Sequence, residues 1–334
     1  MVVLGLDIGG ANLKAATADK RAVSVPFPLW KQPDRLPAAL AELVAKFPGA
    51  DELAVTMTGE LCDCFETKRE GVSAIVAAVR FASGGRPIRV WSTDGVFLNS
   101  EEAKQNHMKV AAANWHALAT FAGRYVPGGG AVLVDIGSTT TDVIPILGGK
   151  PVPEGKTDYD RLFTNELLYT GVRRTPLCAV TNWMTAAELF ATTLDAYLLL
   201  ELIPEDQDDC DTADGRPATI ARAYARLARM YCGDVETIPA EIMEALAEDV
   251  RNQQQVQIRH CIKQVAKRLQ LLEKGVGIRL IVSGAGEFLA RQVVTAFPDI
   301  SGDRLISLND ELGPAVSACA PAYAVAVLGT ERRP

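Results

Sequence analysis

Two aspartates frame the chemistry this chain can do. Asp7 ends an apolar run at the N-terminus and is followed by Ile8-Gly9-Gly10-Ala11-Asn12. Asp135 ends a second apolar run and is followed by Ile136-Gly137-Ser138-Thr139-Thr140-Thr141-Asp142. Each stretch reads as strand, Asp-Ile-Gly turn, strand. Small residues after the Asp leave backbone N–H groups free to face an anion. Two carboxylates converging on a cleft suit Mg²⁺, which takes one or two carboxylates together with water and phosphate oxygens. In that reading Asp7 and Asp135 hold the metal and serve catalysis. Gly9, Gly10, Asn12, Gly137, Ser138, Thr139 and Thr140 offer donors to phosphates, and Lys14 reaches the same anion. Either turn alone reads equally well as a tight hairpin with Asp as its turn residue. The second Asp lies 128 residues after the first. That recurrence argues for a duplicated domain with a phosphate-handling cleft between the copies.

A third motif is Gly284-Ala285-Gly286, between a strand and a helix N-terminus. Such a junction forms an anion or nucleotide site, although many strand–helix junctions share its composition. Glu60 follows a strand and is a candidate general base, or a surface turn carboxylate. Asp142 competes for that role, or caps its hairpin as a strand-start residue. The Arg173 and Arg174 guanidinium forks suit carboxylates and phosphates; the pair also reads as solvated charge on a loop before Pro176. Lys68 carries the same two readings at a helix start. Asn114 and Trp115 interrupt an Ala-rich stretch; Asn114 is a candidate substrate contact, and Trp115 either stacks on a substrate ring or packs a core. The seven carboxylates within 201–214 lack calcium-loop spacing and read as a solvated loop. His107, His116 and His260 form no metal pattern.

The elements that must position these residues follow from periodicity and turn chemistry. Strands are predicted at 2–8, 13–18, 22–27, 53–58 and 88–91, and helices at 36–47, 68–81 and 101–125. The linker Pro127-Gly128-Gly129-Gly130 separates a first domain, 1–128, from a second, 129–334. The second restarts the pattern with strands at 131–136, 142–147 and near 150–153. A mostly helical insertion spans about 155–275, with one long helix or two broken ones at 239–273. A strand at 279–283, a helix to 297, a strand near 304–307 and an Ala-rich helix at 313–328 finish the chain. The small residues of that last helix imply close packing across the domain junction. Hairpins at the start of each half argue for an α/β fold with mixed sheets, since plain doubly wound parallel folds lack them.

Composition excludes several classes. The net charge of −7 argues against non-specific nucleic-acid binding, which needs a dominant basic surface. No apolar stretch reaches membrane-spanning length, and no signal-peptide pattern precedes the first strand. The seven cysteines are an odd number without disulfide or zinc spacing, which implies reduced thiols and a cytoplasmic location. Small-molecule substrates are the expected partners, and an oligomer is compatible with the sequence.

The order of the three motifs resembles the superfamily of actin, the heat-shock ATPases and the acetate and sugar kinases. That resemblance implies duplicated ribonuclease-H-like domains and a late Gly-rich turn that meets adenosine. Longer stretches carry a narrower resemblance: Thr56-Met57-Thr58-Gly59-Glu60-Leu61-Cys62-Asp63-Cys64-Phe65, Ala111-Ala112-Ala113-Asn114-Trp115, 165–176 and 212–219. They are similar to hydantoinase/oxoprolinase-related proteins of the tetrahydromethanopterin-linked one-carbon pathway. The resemblance implies a methanofuran- or methylofuran-biosynthesis transferase. Such an enzyme joins an (aminomethyl)furanylmethyl diphosphate to a tyramine- or tyrosine-type phenol and releases diphosphate. The short Gly-Ala-Gly turn departs from the kinase pattern and counts against ATP. The alternatives are an ATP-dependent kinase or hydrolase of the same superfamily, with Asp94 offered as base, and a non-catalytic regulatory protein with a relic cleft.

Overall fold

Two apolar runs become the centres of two sheets. In the first half, β1 (Val3–Ile8) and β2 (Asn12–Thr17) form a hairpin continued by β3 (Ala22–Pro26). Then come α1 (Leu36–Ala45), β4 (Glu52–Met57), α2 (Lys68–Ala82), β5 (Ile88–Trp91) and β6 (Phe97–Leu98). The half ends with α3 (Ser100–Gln105), α4 (His107–Val110) and α5 (Asn114–Ala122). The sheet order is β3-β2-β1-β4-β5-β6, with β4 and β5 parallel to β1. Every residue of β1 and β4 is buried, as expected for central strands covered on both faces. The computed structural model describes residues 1–295, 297 and 305–332. Among these, no helix is long and apolar enough to cross a membrane.

The second half repeats the plan. β7 (Gly130–Ile136), β8 (Thr141–Leu147) and β9 (Lys150–Pro151) form consecutive hairpins. The insertion holds α6 (Asp158–Phe163), β10 (Leu167–Leu168), α7 (Thr193–Leu199), α8 (Ile220–Arg229) and α9 (Ala240–Leu272), the last a single unbroken helix. β11 (Ile278–Ser283) and β12 (Leu305–Ser307) complete a sheet ordered β10-β8-β7-β11-β12. The parallel β11 and β12 correspond to β4 and β5. Two antiparallel hairpins followed by two parallel additions, made twice, is the duplicated ribonuclease-H-like fold with mixed sheets.

The remaining helices are α10 (Glu287–Thr295), α11 (Leu308–Leu312), α12 (Pro314–Ser317) and α13 (Ala320–Glu331). Each half lends its last long helix to the other. α5 packs on β7, β8 and β9, α13 packs on β1, β2 and β4, and the two helices pack on each other. α13 is buried from Ala320 to Gly329, which suits a helix apolar all round. A Cβ on Gly5 would lie 1.9 Å from the Ala322 carbonyl oxygen, so β1 needs glycine there. One core therefore joins Val3 and Ala16 to Leu133 and Ile144 through these helices.

Two predicted helices are broken. The 101–125 stretch is three short helices and a 3₁₀ turn, because Asn106 leaves helical geometry and Ala112 adopts φ 47°. Tertiary contacts around Ala112 override good alanine propensity. The 313–328 stretch begins with a separate turn at α12, set off by Gly313 at φ 86° and by Cys319. Arg304, in the predicted strand near 304–307, lies outside the described residues.

Candidate active site between the two turns

The two Asp-Ile-Gly turns close alike. The Gly9 N–H donates to the Asn12 carbonyl at 3.0 Å, and the Gly137 N–H to the Thr140 carbonyl at 2.8 Å. Those two amides are therefore committed, contrary to the expectation that Gly9 and Gly137 N–H groups face an anion. Adjacent carbonyls are covered too. Gly10 O accepts from Leu29 N–H and Ala11 O from Phe27 N–H, both at 2.8 Å. Ser138 O accepts from the N–H groups of Arg173 and Arg174, both at 3.0 Å. The N–H groups of Gly10, Ser138 and Thr139 make no hydrogen bond among the described residues. Carbonyls engaged and amides open leave each turn with an excess of donors, as an anion site needs.

Strand register places the charges. Lys14 lies opposite Asp7 in the first hairpin, and Asp142 lies opposite Asp135 in the second. Both Asp7 Oδ1 and Asp135 Oδ1 are buried without a hydrogen-bond partner. Burial pushes the Asp7 carboxyl up to about 6 against the pull of Lys14. Burial and then the Asp142 charge push Asp135 up to about 7, with Lys14 and Ser283 opposing and Asp7 adding. Lys14 thus acts on both carboxylates. Orphaned acidic oxygens beside open donors fit a divalent cation carrying phosphate. Among the described residues no group of three or more His, Cys, Asp or Glu is placed to hold a metal. A two-carboxylate site is the Mg²⁺ pattern rather than a structural zinc pattern.

The loops after β4 and β11 are twins. Gly59 N–H donates to Ile8 O at 3.0 Å, and Gly286 N–H donates to Ile136 O at 2.9 Å. A glutamate follows each, Glu60 and Glu287. The late turn is packed tightly. A Cβ on Gly284 would lie 2.3 Å from Ile136 O, and one on Gly286 2.4 Å from Ile136 Cγ2. Its small residues thereby have a packing reason. The two glutamates differ. Glu287 is satisfied by the Ser307 hydroxyl, the Asn309 N–H and Arg291. Glu60 is 1% exposed and its Oε2 has no partner. Burial pushes Glu60 up to about 7; its own backbone, Lys68 and Ala112 oppose, and Asp158 adds. A carboxyl with that proton affinity is poised for acid–base work near neutral pH.

A hydantoinase/oxoprolinase family model matches residues 51–328. The chain belongs to the hydantoinase/oxoprolinase family. It is 35% identical to a Methanocaldococcus jannaschii protein named (4-{4-[2-(gamma-L-glutamylamino)ethyl]phenoxymethyl}furan-2-yl)methanamine synthase, over 98% of this chain and 97% of that one. A Methanococcus vannielii protein of the same name is 33% identical over 59% of this chain and 89% of its own. Among solved structures, nucleotide-free acetone carboxylase matches with a TM-score of 0.54 at 12% identity, over 97% of this chain and 70% of that chain. That likeness concerns the fold alone.

In this hydantoinase/oxoprolinase family member the remaining candidates separate by their partners. Asp142 is bound by buried Arg161, which also pairs with Asp158 at 3.1 Å and stacks on Trp115 at 4.2 Å. Trp115 is 2% exposed with a guanidinium on its face, so it packs the core and leaves no face for a substrate ring. Asn114 opens α5. Lys68 opens α2 and its charge reaches Glu60. Arg173 is tied to Asp209 within the acidic stretch, which is partly structural rather than wholly solvated. Arg174 instead lies over the Trp30 ring at 4.2 Å. Asp94 sits in an exposed ion pair with Lys109, which holds it below the usual carboxylate range. His116 is buried beside Trp91 and pushed down to about 4, so it stays neutral.

Arg161, Asp158 and Trp30 carry no motif in the sequence. Only Trp30, a large aromatic between Pro28 and Pro33, carries a local signal. One cluster joins Asp7, Lys14 and Asp135 through their mutual charges, the 284–286 turn through the approach of Gly284 to Asp135 Oδ1, and Arg174 through its N–H on Ser138 O. Glu60, Lys68 and Asp158 gather beside it, linked through Gly59, where a Cβ would lie 3.2 Å from Gly9 O.

Proposed function

We propose that this protein is an ether-forming transferase. It joins an (aminomethyl)furanylmethyl diphosphate to the phenol of a tyramine- or tyrosine-type acceptor and releases diphosphate, in methanofuran or methylofuran biosynthesis. The observation that carries this reading is the match over nearly the full length of both chains to a synthase whose product name contains a phenoxymethyl-furan bond. The site chemistry supports it, because such a reaction needs an anion cradle and a base for a phenol.

The turn amides of Gly10, Ser138 and Thr139, with Lys14, receive the diphosphate oxygens and stabilise charge as it develops on the leaving group. Asp7 and Asp135 would hold Mg²⁺, which supplies further neutralisation of that charge. The furanylmethyl C–O bond to diphosphate breaks, and the phenol oxygen bonds to the same carbon. A free phenol has a pKa of about 10 and needs help to lose its proton. Glu60, whose buried Oε2 lacks a hydrogen-bond partner and whose proton affinity is near neutral, takes that proton. Asp142 is committed to Arg161 and acts by position rather than as the base. ATP has less support: the glycines of the 284–286 turn are explained by packing against Ile136.

The test is incubation of the protein and Mg²⁺ with the furanylmethyl diphosphate and, separately, tyramine, tyrosine and γ-glutamyltyramine. A product mass equal to donor plus acceptor less diphosphoric acid is expected with at least one acceptor. No such mass with any of them refutes the reading.

A further inference from the structure

Arg174 bridges the two turns. Its backbone N–H is bound to Ser138 O of the second turn at 3.0 Å, while its guanidinium lies over the ring of Trp30 at 4.2 Å. Trp30 follows Leu29, whose N–H is bound to Gly10 O of the first turn at 2.8 Å. The side chain therefore runs from one phosphate turn to the segment fastened to the other. Both residues are half-buried. The neighbouring Arg173 has a carboxylate partner in Asp209, but Arg174 has none among the described residues. Lys31 adds a second cation 5.9 Å from the same indole ring. The Cys62 thiol lies at this corner, where a Cβ on Gly10 would meet it at 2.7 Å; the charges of Glu60, Asp63 and Arg174 all reach that thiol. No carboxylate among the described residues is paired with Arg174.

We infer that Arg174, held ready on Trp30, is the arginine that grips the diphosphate of the donor, in particular the phosphoryl group farther from the furan. This rests on the ether-synthase reading and deepens it by assigning the leaving group to one side chain. A guanidinium fork matches two phosphate oxygens at once, and stacking on an indole fixes its plane before the ligand arrives. Diphosphate offers the fork more oxygens and more charge than a single phosphate does, so it should depend on Arg174 more.

The experiment is isothermal titration of the full chain with Mg²⁺ and inorganic diphosphate, and with inorganic phosphate, using wild type, Arg174→Met, Arg174→Lys and Trp30→Leu. Circular dichroism and melting check that each variant folds. Arg174→Met should weaken diphosphate about tenfold or more, the loss of a charge-assisted bidentate contact. Arg174→Lys and Trp30→Leu should give intermediate losses, and inorganic phosphate should change less than diphosphate throughout. In turnover, KM for the donor should rise while KM for the phenolic acceptor stays within about twofold. Diphosphate affinity within twofold of wild type in Arg174→Met overturns the inference, as does a rise confined to acceptor KM. If Arg174→Met does not fold, Arg174→Lys decides by the same criteria. Wild-type protein that binds diphosphate through Arg174 yet makes no ether sinks the synthase reading and leaves this assignment standing.

Discussion

Replacing Glu60 by Gln keeps the shape of the side chain and removes its proton exchange. The buried carboxyl holds its proton up to about pH 7 rather than the ordinary 4.5. Each tenfold change in proton affinity is worth about 1.4 kcal/mol, so this displacement is worth about 3 kcal/mol. The sign follows from which form the fold prefers. The protonated carboxyl is favoured in the folded chain, so its contribution to stability is complete below about pH 4.5. It declines as pH rises and is gone above about pH 7. Glu60→Gln should therefore be more stable than wild type by about 3 kcal/mol at pH 8, with the difference shrinking towards pH 5. Activity should move the other way, with kcat/KM down by roughly 10²–10⁴ and the acidic limb near pH 7 lost. Urea unfolding at pH 5 and 8, with a pH–rate profile, measures both. A variant with the same stability offset at both pH values and an intact acidic limb refutes the reasoning. Lys68 and Asp158 face the same carboxyl, so a profile displaced but not flattened would point to one of them.

Asp7→Asn and Asp135→Asn should each cut ether formation by about a hundredfold or more and weaken Mg²⁺-dependent diphosphate binding, as seen by titration and rate. Gly71→Ala places a Cβ 2.0 Å from the Glu60 carbonyl oxygen, so α2 must shift. A loss of about 1–3 kcal/mol by thermal or urea unfolding is expected, with reduced turnover through displacement of Glu60. Arg161→Met leaves Asp142 buried and unpaired and should cost about 3–5 kcal/mol, while the double variant with Asp142→Asn should recover part of it. A double variant no better than the single would show that the ion pair is not the source of the loss.

The sequence is legible where local chemistry and tertiary demand agree. β1, β7 and their turns combine continuous apolar runs with small residues that only one topology uses, so the duplication shows through. α2 also declares itself, by Thr67 capping the Glu70 N–H and a buried face at Val72, Ile75, Val76 and Val79. The failures lie where packing overrides propensity. Alanines 111–113 favour helix, yet the chain must turn there to bring Ala112 beside Glu60 and Trp115 into the core. The exchange of α5 and α13 between sheets shows in the sequence only as a wealth of small residues. In the site, the Asp pair and Glu60 were visible because each ends or follows a strand. Arg161 was not, because its partners Asp142, Asp158 and Trp115 meet only in the folded chain. The same holds for the contrast between Arg173 and Arg174, identical in type and adjacent in sequence but separated by Asp209 and Trp30.

The central claim is that the cleft between the two Asp-Ile-Gly turns serves a diphosphate leaving group. Its most direct test is the stoichiometry of a single reaction mixture containing the furanylmethyl diphosphate, the phenolic acceptor and Mg²⁺, with ATP omitted. One diphosphate released for each ether formed, at a rate that added ATP does not change, is the predicted result. Ether formation that requires ATP and yields ADP, or diphosphate release without any ether, contradicts it.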